Sequence, residues 1–154
     1  MLLAALLGCA LHTSRAGLVQ AGDEPVRIRT YEGRTFRLHL DDDSAAIRYL
    51  DNVVVKVEGP RLGGGLWVRD WYVQDAGDGS GGFVGRLRVY GARLVVDDRN
   101  TRRTLVIADG TAPELQAYAG QDVLLIGHVV GGETIEVAAF RVLAPDAAPT
   151  RSVR

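Results

Sequence analysis

The sequence has few of the residues from which common catalytic and metal sites are built. Its 154 residues include one cysteine and three histidines, and the histidines lie far apart in the chain. With Cys9 as the sole cysteine, an intramolecular disulfide and a zinc site made of several thiolates are both excluded. No Ser-His-Asp or Cys-His set, phosphate-binding loop or zinc-protease motif is apparent. We therefore predict no metal, no cofactor and no enzymatic activity, with an enzyme of unrecognised type as the least favoured alternative.

A concentration of charge of one sign is also missing. The formal net charge is -1, from 18 basic and 19 acidic residues that are interspersed along both halves. Binding along a nucleic-acid backbone depends on concentrated positive charge, so we predict no nucleic-acid partner. Hydrophobic residues make up 47% of the chain and charged residues 24%, as in ordinary globular proteins. The length suits one domain or two very small ones.

Long apolar runs are absent except at the start, MLLAALLGCA. The run over residues 2–7 is far shorter than the roughly 20 residues that span a bilayer, and it has no polar face. A short apolar run that ends in small residues is typical of a secretory signal. Residues 6–9, Leu-Leu-Gly-Cys, resemble the lipobox of bacterial lipoproteins.

This resemblance implies cleavage before Cys9 and attachment of a lipid to its sulfur. Ala10 follows where an Asp would imply retention at the inner membrane, so the resemblance implies an outer-membrane anchor facing the periplasm. The alternatives are an ordinary signal peptide and an apolar tail with an incidental cysteine. The residues that follow contain Gly17, Gly22 and Pro25, and they are predicted to form a short tether.

Beyond Pro25 the pattern is that of β-strands. Phe36 and Leu38 alternate with Arg37 and His39, as expected for a half-buried strand. Several such segments follow, interrupted by two short helical segments, SAAIRYL and PELQAY.

The order of these segments occurs twice. At a spacing of 69 residues, or 68 after a one-residue gap, matching residue types recur: Arg34-Thr35-Phe36 with Arg103-Thr104-Leu105, Tyr49 with Tyr118, Gly59 with Gly127, and Trp71 with Phe140. Such repetition indicates duplication of one unit. The order of three strands, a short helix and two strands resembles the OB-fold, a small Greek-key barrel.

We therefore predict an all-β protein with short helices, made of two duplicated OB-fold-like barrels packed together. The first copy is shorter by about one strand and is expected to borrow an edge from its neighbour. The alternative is a single β-sandwich or fused sheet. The predicted divisions are a signal peptide (1–8), a lipidated N-terminus and tether (9–25), a first unit (26–75), a Gly-rich linker (76–82), a second unit (83–144) and a disordered tail (145–154).

The segment WVRDW offers the candidate binding face. On a regular strand Trp67, Arg69 and Trp71 share one face, where two indoles beside a guanidinium could stack a sugar or anchor a protein. The competing interpretation places Trp71 in the core, like its counterpart Phe140. The polar turn over residues 95–103, VVDDRNTRR, is predicted to be a solvated hairpin tip or a partner-facing loop. HLDDD and DAGDGSGG fit helix capping and a linker better than calcium loops.

Together these patterns predict a lipid-anchored protein of the bacterial cell envelope that acts as a non-catalytic protein-binding or scaffolding module. Its expected partners are the membrane, through Cys9, and another envelope protein. The alternative function is a periplasmic module that binds a glycan or another small ligand on the Trp67/Arg69/Trp71 face.

Overall fold

The computed structural model describes residues 12–22, 24–144 and 151–152, and these residues form two barrels. The first contains β1 (His12–Gln20), β2 (Arg27–Thr30), β3 (Thr35–His39), β4 (Val54–Leu62), β5 (Gly65–Trp67) and β6 (Asp70–Asp75), with a 3-10 helix over Ala45–Tyr49. The second contains β7 (Gly82–Tyr90), β8 (Arg93–Asp98), β9 (Arg103–Ile107), β10 (Asp122–Val130), β11 (Thr134–Val142) and β12 (Arg151–Ser152), with a 3-10 helix over Pro113–Tyr118.

Each barrel is closed and has the strand order of an OB-fold, which confirms the predicted fold class. In the first, the order β1-β2-β3-β5-β4 is closed by the pairing of β4 with β1, and β6 continues β5 along β4. In the second, the order β7-β8-β9-β11-β10 is closed by the pairing of β10 with β7. The third and fifth strands of each barrel run parallel. The strands form two separate sheets, so the alternative of one fused sheet is wrong.

The first barrel is complete, and this corrects the predicted tether. Residues 12–20 form β1, which pairs with both β2 and β4, and Val19 is fully buried. The first copy therefore has its own first strand and does not borrow one. This strand was difficult to recognise from the sequence because Gly17 interrupts the alternation of apolar and polar residues. A Cβ at Gly17 would lie 2.6 Å from the Arg29 carbonyl oxygen, at the point where β1 pairs with both β2 and β4.

The tail differs in part from the prediction as well. Residues 151–152 pair with β11 at Ala139 and Phe140, so they add a short strand to the second barrel. Between the barrels, β6 ends at Asp75 and β7 begins at Gly82.

Residues that match in the repeat occupy equivalent positions in the two barrels. Trp71 and Phe140 both lie in barrel cores, and Tyr49 and Tyr118 end the two short helices. After each helix, one backbone N–H donates a hydrogen bond to the first strand of its barrel. Asn52 N–H donates to the Val19 carbonyl, and Gly120 N–H donates to the Leu87 carbonyl. Both donors have positive φ, 62° and 88°. The duplication therefore extends from side chains to the backbone turns.

The two barrels pack together through the β8–β9 turn. Asn100 accepts a hydrogen bond from the Val73 N–H at 3.1 Å and donates to the Val73 and Gly82 carbonyls at 3.0 and 3.1 Å. Val84, Leu124 and Leu143 of the second barrel join the apolar core of the first. The turn predicted to be a solvated tip or a partner-facing loop is thus the joint between the barrels. The Asn100 amide here hydrogen-bonds the backbone at the outer edge of β6. Sequence spacing alone does not reveal this contact.

Replacing Asn100 with alanine is expected to loosen this joint by about 2–3 kcal/mol, because partly buried backbone groups on both sides lose their partners. Urea unfolding monitored by circular dichroism should then show two transitions in place of one. Gln74→Ala is the matched control, because Gln74 neighbours Val73 on β6 but is exposed. A single unshifted transition in Asn100→Ala would contradict this account of the joint.

Candidate functional site

The three residues of the predicted binding face do not share a face. Trp67 and Arg69 are exposed, with Trp67 at 45%, whereas Trp71 is only 2% exposed. β4 pairs with β5 at Arg61–Leu66 and with β6 at Glu58–Asp70. Between these two pairs, residues 59–60 of β4 lie opposite the three residues 67–69. This extra residue is a β-bulge, which reverses the alternation of side chains. The predicted Trp67/Arg69/Trp71 face is therefore wrong.

Trp71 belongs to the core and to the joint, as the competing interpretation expected. Its indole N–H donates to the Asp43 carbonyl at 3.2 Å. The Arg99 guanidinium of the second barrel lies 4.8 Å from the indole centroid, and its Nε–H donates to the Trp71 carbonyl at 3.2 Å. Arg99 also lies 3.6 Å from an Asp70 carboxylate oxygen. Trp71 is therefore covered by protein on both sides and cannot stack a ligand.

Trp67 has a different aromatic partner, His39. Their rings stack with centroids 4.7 Å apart and an interplanar angle of 13°. The pair forms because His39 and Trp67 are register partners of the parallel strands β3 and β5. Gly65 makes room for the imidazole, since a Cβ there would lie 2.4 Å from His39 Nε2.

The stacked pair borders a shallow depression on the first barrel. Arg37 and Arg48 contribute cations to its lining, Glu24 contributes one carboxylate, and Pro25 contributes an apolar wall. Aromatic faces beside guanidinium groups can bind a sugar ring or an anionic group. We call His39, Trp67, Arg37 and Arg48 the aromatic patch. His39 was missed because its partner in the patch is distant in sequence.

A second depression, of 370 Å³, lies between the barrels. It is lined by charges of both signs, which include Arg86, Arg99, Asp70 and Asp97. Burial would raise the pKa of Asp97, but hydrogen bonds from Thr104 and Arg88 hold it below its ordinary value. Arg99 pairs with Asp70 across the joint between the barrels, whereas Arg86 donates to the Gly120 carbonyl and Asp97 pairs with Arg88 within the second barrel.

The acidic segment HLDDD caps a turn. Asp41 accepts hydrogen bonds from the Ser44 hydroxyl at 2.7 Å and the Ser44 N–H at 3.0 Å, and the hydroxyl bond lowers the pKa of Asp41. Within 12–22, 24–144 and 151–152, no three His, Cys, Asp or Glu side chains come together as metal ligands would.

Cys9 lies outside the described residues, so its lipidation stays a prediction. In the part of the chain that the structure covers, no helix has the length and apolarity needed to cross a membrane. No protein-family model matches the chain, and neither a curated protein nor a solved structure shows significant similarity to it.

Proposed function

We propose that this chain is a lipid-anchored protein of the bacterial cell envelope whose two barrels act together as a non-catalytic binding or scaffolding module for another envelope protein. The observation that carries the proposal is the position of Cys9. It ends a lipobox-like sequence and precedes the first strand of the barrels by three residues. A lipid on its sulfur would hold the folded unit at the bilayer, on the periplasmic side of the outer membrane.

The joint between the barrels favours a scaffolding role. Two hydrogen bonds between Asn100 and Val73 and the contact of Arg99 with Trp71 hold the two barrels in one orientation. A module of fixed shape can present two surfaces to a partner without first losing the entropy of a flexible linker.

The anchor is tested by replacing Cys9 with serine. We expect the wild-type protein to take up radiolabelled palmitate and to fractionate with membranes. The Cys9→Ser variant should lose the label completely, because the thiol is the point of attachment. Ala10→Ser is the matched control, since it changes the neighbouring residue and keeps the sulfur. A Cys9→Ser protein with unchanged label and gel mobility would contradict the lipid anchor.

The partner is tested by cross-linking in intact cells, followed by detergent extraction and mass spectrometry. We expect one envelope protein to be recovered in fixed stoichiometry with the wild-type chain. The Asn100→Ala variant should recover less of it, because the two barrels no longer hold one orientation. Recovery of this chain alone would count against scaffolding and favour the second candidate function.

That second candidate is the binding of a glycan or another small ligand, and the aromatic patch favours it. The patch replaces the Trp67/Arg69/Trp71 face as the proposed ligand surface. Its exposed indole is held flat against an imidazole with two guanidinium groups nearby. Such a platform suits a sugar ring that carries an anionic substituent.

Tryptophan fluorescence tests this function, because the chain has only two tryptophans. Titration with soluble cell-wall glycan fragments should give a saturable change in emission. The Trp67→Phe variant should lose this change, since the remaining Trp71 is buried. Trp71→Phe should retain it and serves as the matched control. A flat titration of the wild-type protein would contradict ligand binding at the aromatic patch.

A further inference from the structure

One end of the first barrel exposes apolar side chains. Strands β1, β3 and β5 all begin there, so the β2–β3 and β4–β5 hairpins meet the start of β1 at this end. Tyr31 on one hairpin is 81% exposed, and Leu62 at the other is 48% exposed. We call residues 12–15, 31–34 and 61–64 the open end.

The open end is also basic. Arg15 and Arg61 lie on the Phe36 ring, with guanidinium carbons 5.6 and 5.5 Å from its centroid. Arg34 contributes a third cation, and Glu32, 3.8 Å from it, is the one acidic residue among those that define the open end. The two stacked guanidinium groups are thus held beside the exposed apolar side chains.

The equivalent end of the second barrel is covered. Its β8–β9 turn packs on the first barrel through Asn100. Tyr31 stands 69 residues before Asn100 and is therefore its counterpart in the repeat. A tyrosine at this position cannot make the amide hydrogen bonds that Asn100 makes at the joint. Asn100 docks on the outer edge of β6 in the first barrel. The corresponding strand of the second barrel is β11, and its outer edge is occupied by β12. Repetition of the internal joint between copies of this chain is therefore disfavoured.

The open end lies close to the proposed anchor. Three residue steps separate Cys9 from His12, so the start of β1 lies within about 11 Å of the cysteine. This distance is close to the Debye length of roughly 8–10 Å at physiological ionic strength. Because this distance is an upper limit, cations at the open end can come within a Debye length of headgroup charge, where the attraction survives screening.

We infer that the open end lies on a bilayer surface that carries anionic headgroups, an inference that rests on the proposed lipid anchor. Tyr31 and Leu62 enter the interface, while Arg15, Arg34 and Arg61 pair with headgroup phosphates. The second barrel then points away from the bilayer, where a protein partner can reach it.

The test uses the lipidated full-length protein in vesicles of phosphatidylglycerol and phosphatidylcholine. Because the lipid occupies Cys9, a cysteine introduced by Leu62→Cys is the one free thiol and can carry a fluorescent label. Glu114→Cys, on the exposed helix of the second barrel, is the matched position. We expect headgroup-region quenching lipids to quench the label at position 62 and to leave the label at position 114 unchanged.

Charge variants test the basic contribution. Replacing both Arg34 and Arg61 with Gln should lower the affinity of the open end for the vesicle surface about 25-fold, since each surface arginine contributes about fivefold. Arg93→Gln with Arg103→Gln removes the same charge from exposed positions of the second barrel and should have no effect. Raising the salt concentration to 1 M should act like the first pair of substitutions.

The outcomes separate the inference from the anchor. Equal quenching at positions 62 and 114 in an acylated, membrane-bound protein would overturn the inference and leave the anchor intact. If no acyl chain is found, the anchor is wrong. Sedimentation of the unlipidated protein with the same vesicles then tests whether the open end binds the bilayer surface. Salt-dependent sedimentation would support the surface, whereas protein that stays in the supernatant would overturn it.

Discussion

Replacing Gly59 or Gly127 with alanine is expected to destabilise the protein by about 3 kcal/mol or more, among the largest effects of any single substitution. A Cβ at Gly59 would lie 1.8 Å from the Trp67 carbonyl oxygen, and one at Gly127 would lie 2.0 Å from that of Glu136. Both obstacles are backbone atoms that a rotamer change cannot move. The strands would have to separate at the point where each barrel has its bulge.

Urea unfolding of the two variants measures this effect directly. Gly81→Ala is the matched control, because nothing lies within 4 Å of a Cβ at Gly81 and the residue is exposed. Its free energy of unfolding should change by less than about 0.5 kcal/mol. A Gly59→Ala protein as stable as Gly81→Ala would show that the bulge is not as close-packed as the structure describes.

Replacing Trp71 with alanine is expected to cost about 3–5 kcal/mol, since it removes the largest buried side chain and leaves a cavity. The loss also removes the hydrogen bond to the Asp43 carbonyl and the platform for Arg99. The joint between the barrels should therefore weaken together with the first core. Because whole-domain stabilities are about 5–15 kcal/mol, much of the variant should be unfolded near 37 °C.

Two further variants separate the contributions to this loss. Trp67→Ala should cost less than about 1 kcal/mol, because that indole is half exposed. Trp71→Phe adopts the residue type found at Phe140, the equivalent core position, and should retain most of the stability. Differential scanning calorimetry of the three variants ranks them. Equal losses in Trp67→Ala and Trp71→Ala would contradict the assignment of the two indoles to different faces.

Much of the fold was predictable because its information is local. The alternation of Phe36 and Leu38 with polar neighbours reports a half-buried strand without any knowledge of the partner strand. The match of Trp71 with Phe140 likewise indicated a shared core position, since duplicated units bury the same places. Even the glycine match, Gly59 with Gly127, reflects a bulge that both barrels need.

The candidate site was less predictable because it depends on pairs that are distant in sequence. His39 meets Trp67 through the parallel register of β3 and β5, and no local pattern reports such a register. The bulge that separates Trp67 from Trp71 adds one residue to one strand, which is invisible in a sequence that still alternates on both sides. Asn100 looked like a turn residue, and its contact with Val73 depends on how two barrels dock.

By itself, then, the sequence determined the all-β class and the duplication, and it predicts that Cys9 carries a lipid. Only the tertiary structure decided that residues 12–20 complete the first barrel, that the β8–β9 turn joins the barrels and that Trp71 is core. It also placed Arg15 and Arg61 on Phe36 at the open end. The reason is physical: periodicity and residue type act over a few positions, whereas register, bulges and docking arise from backbone pairing across the whole chain.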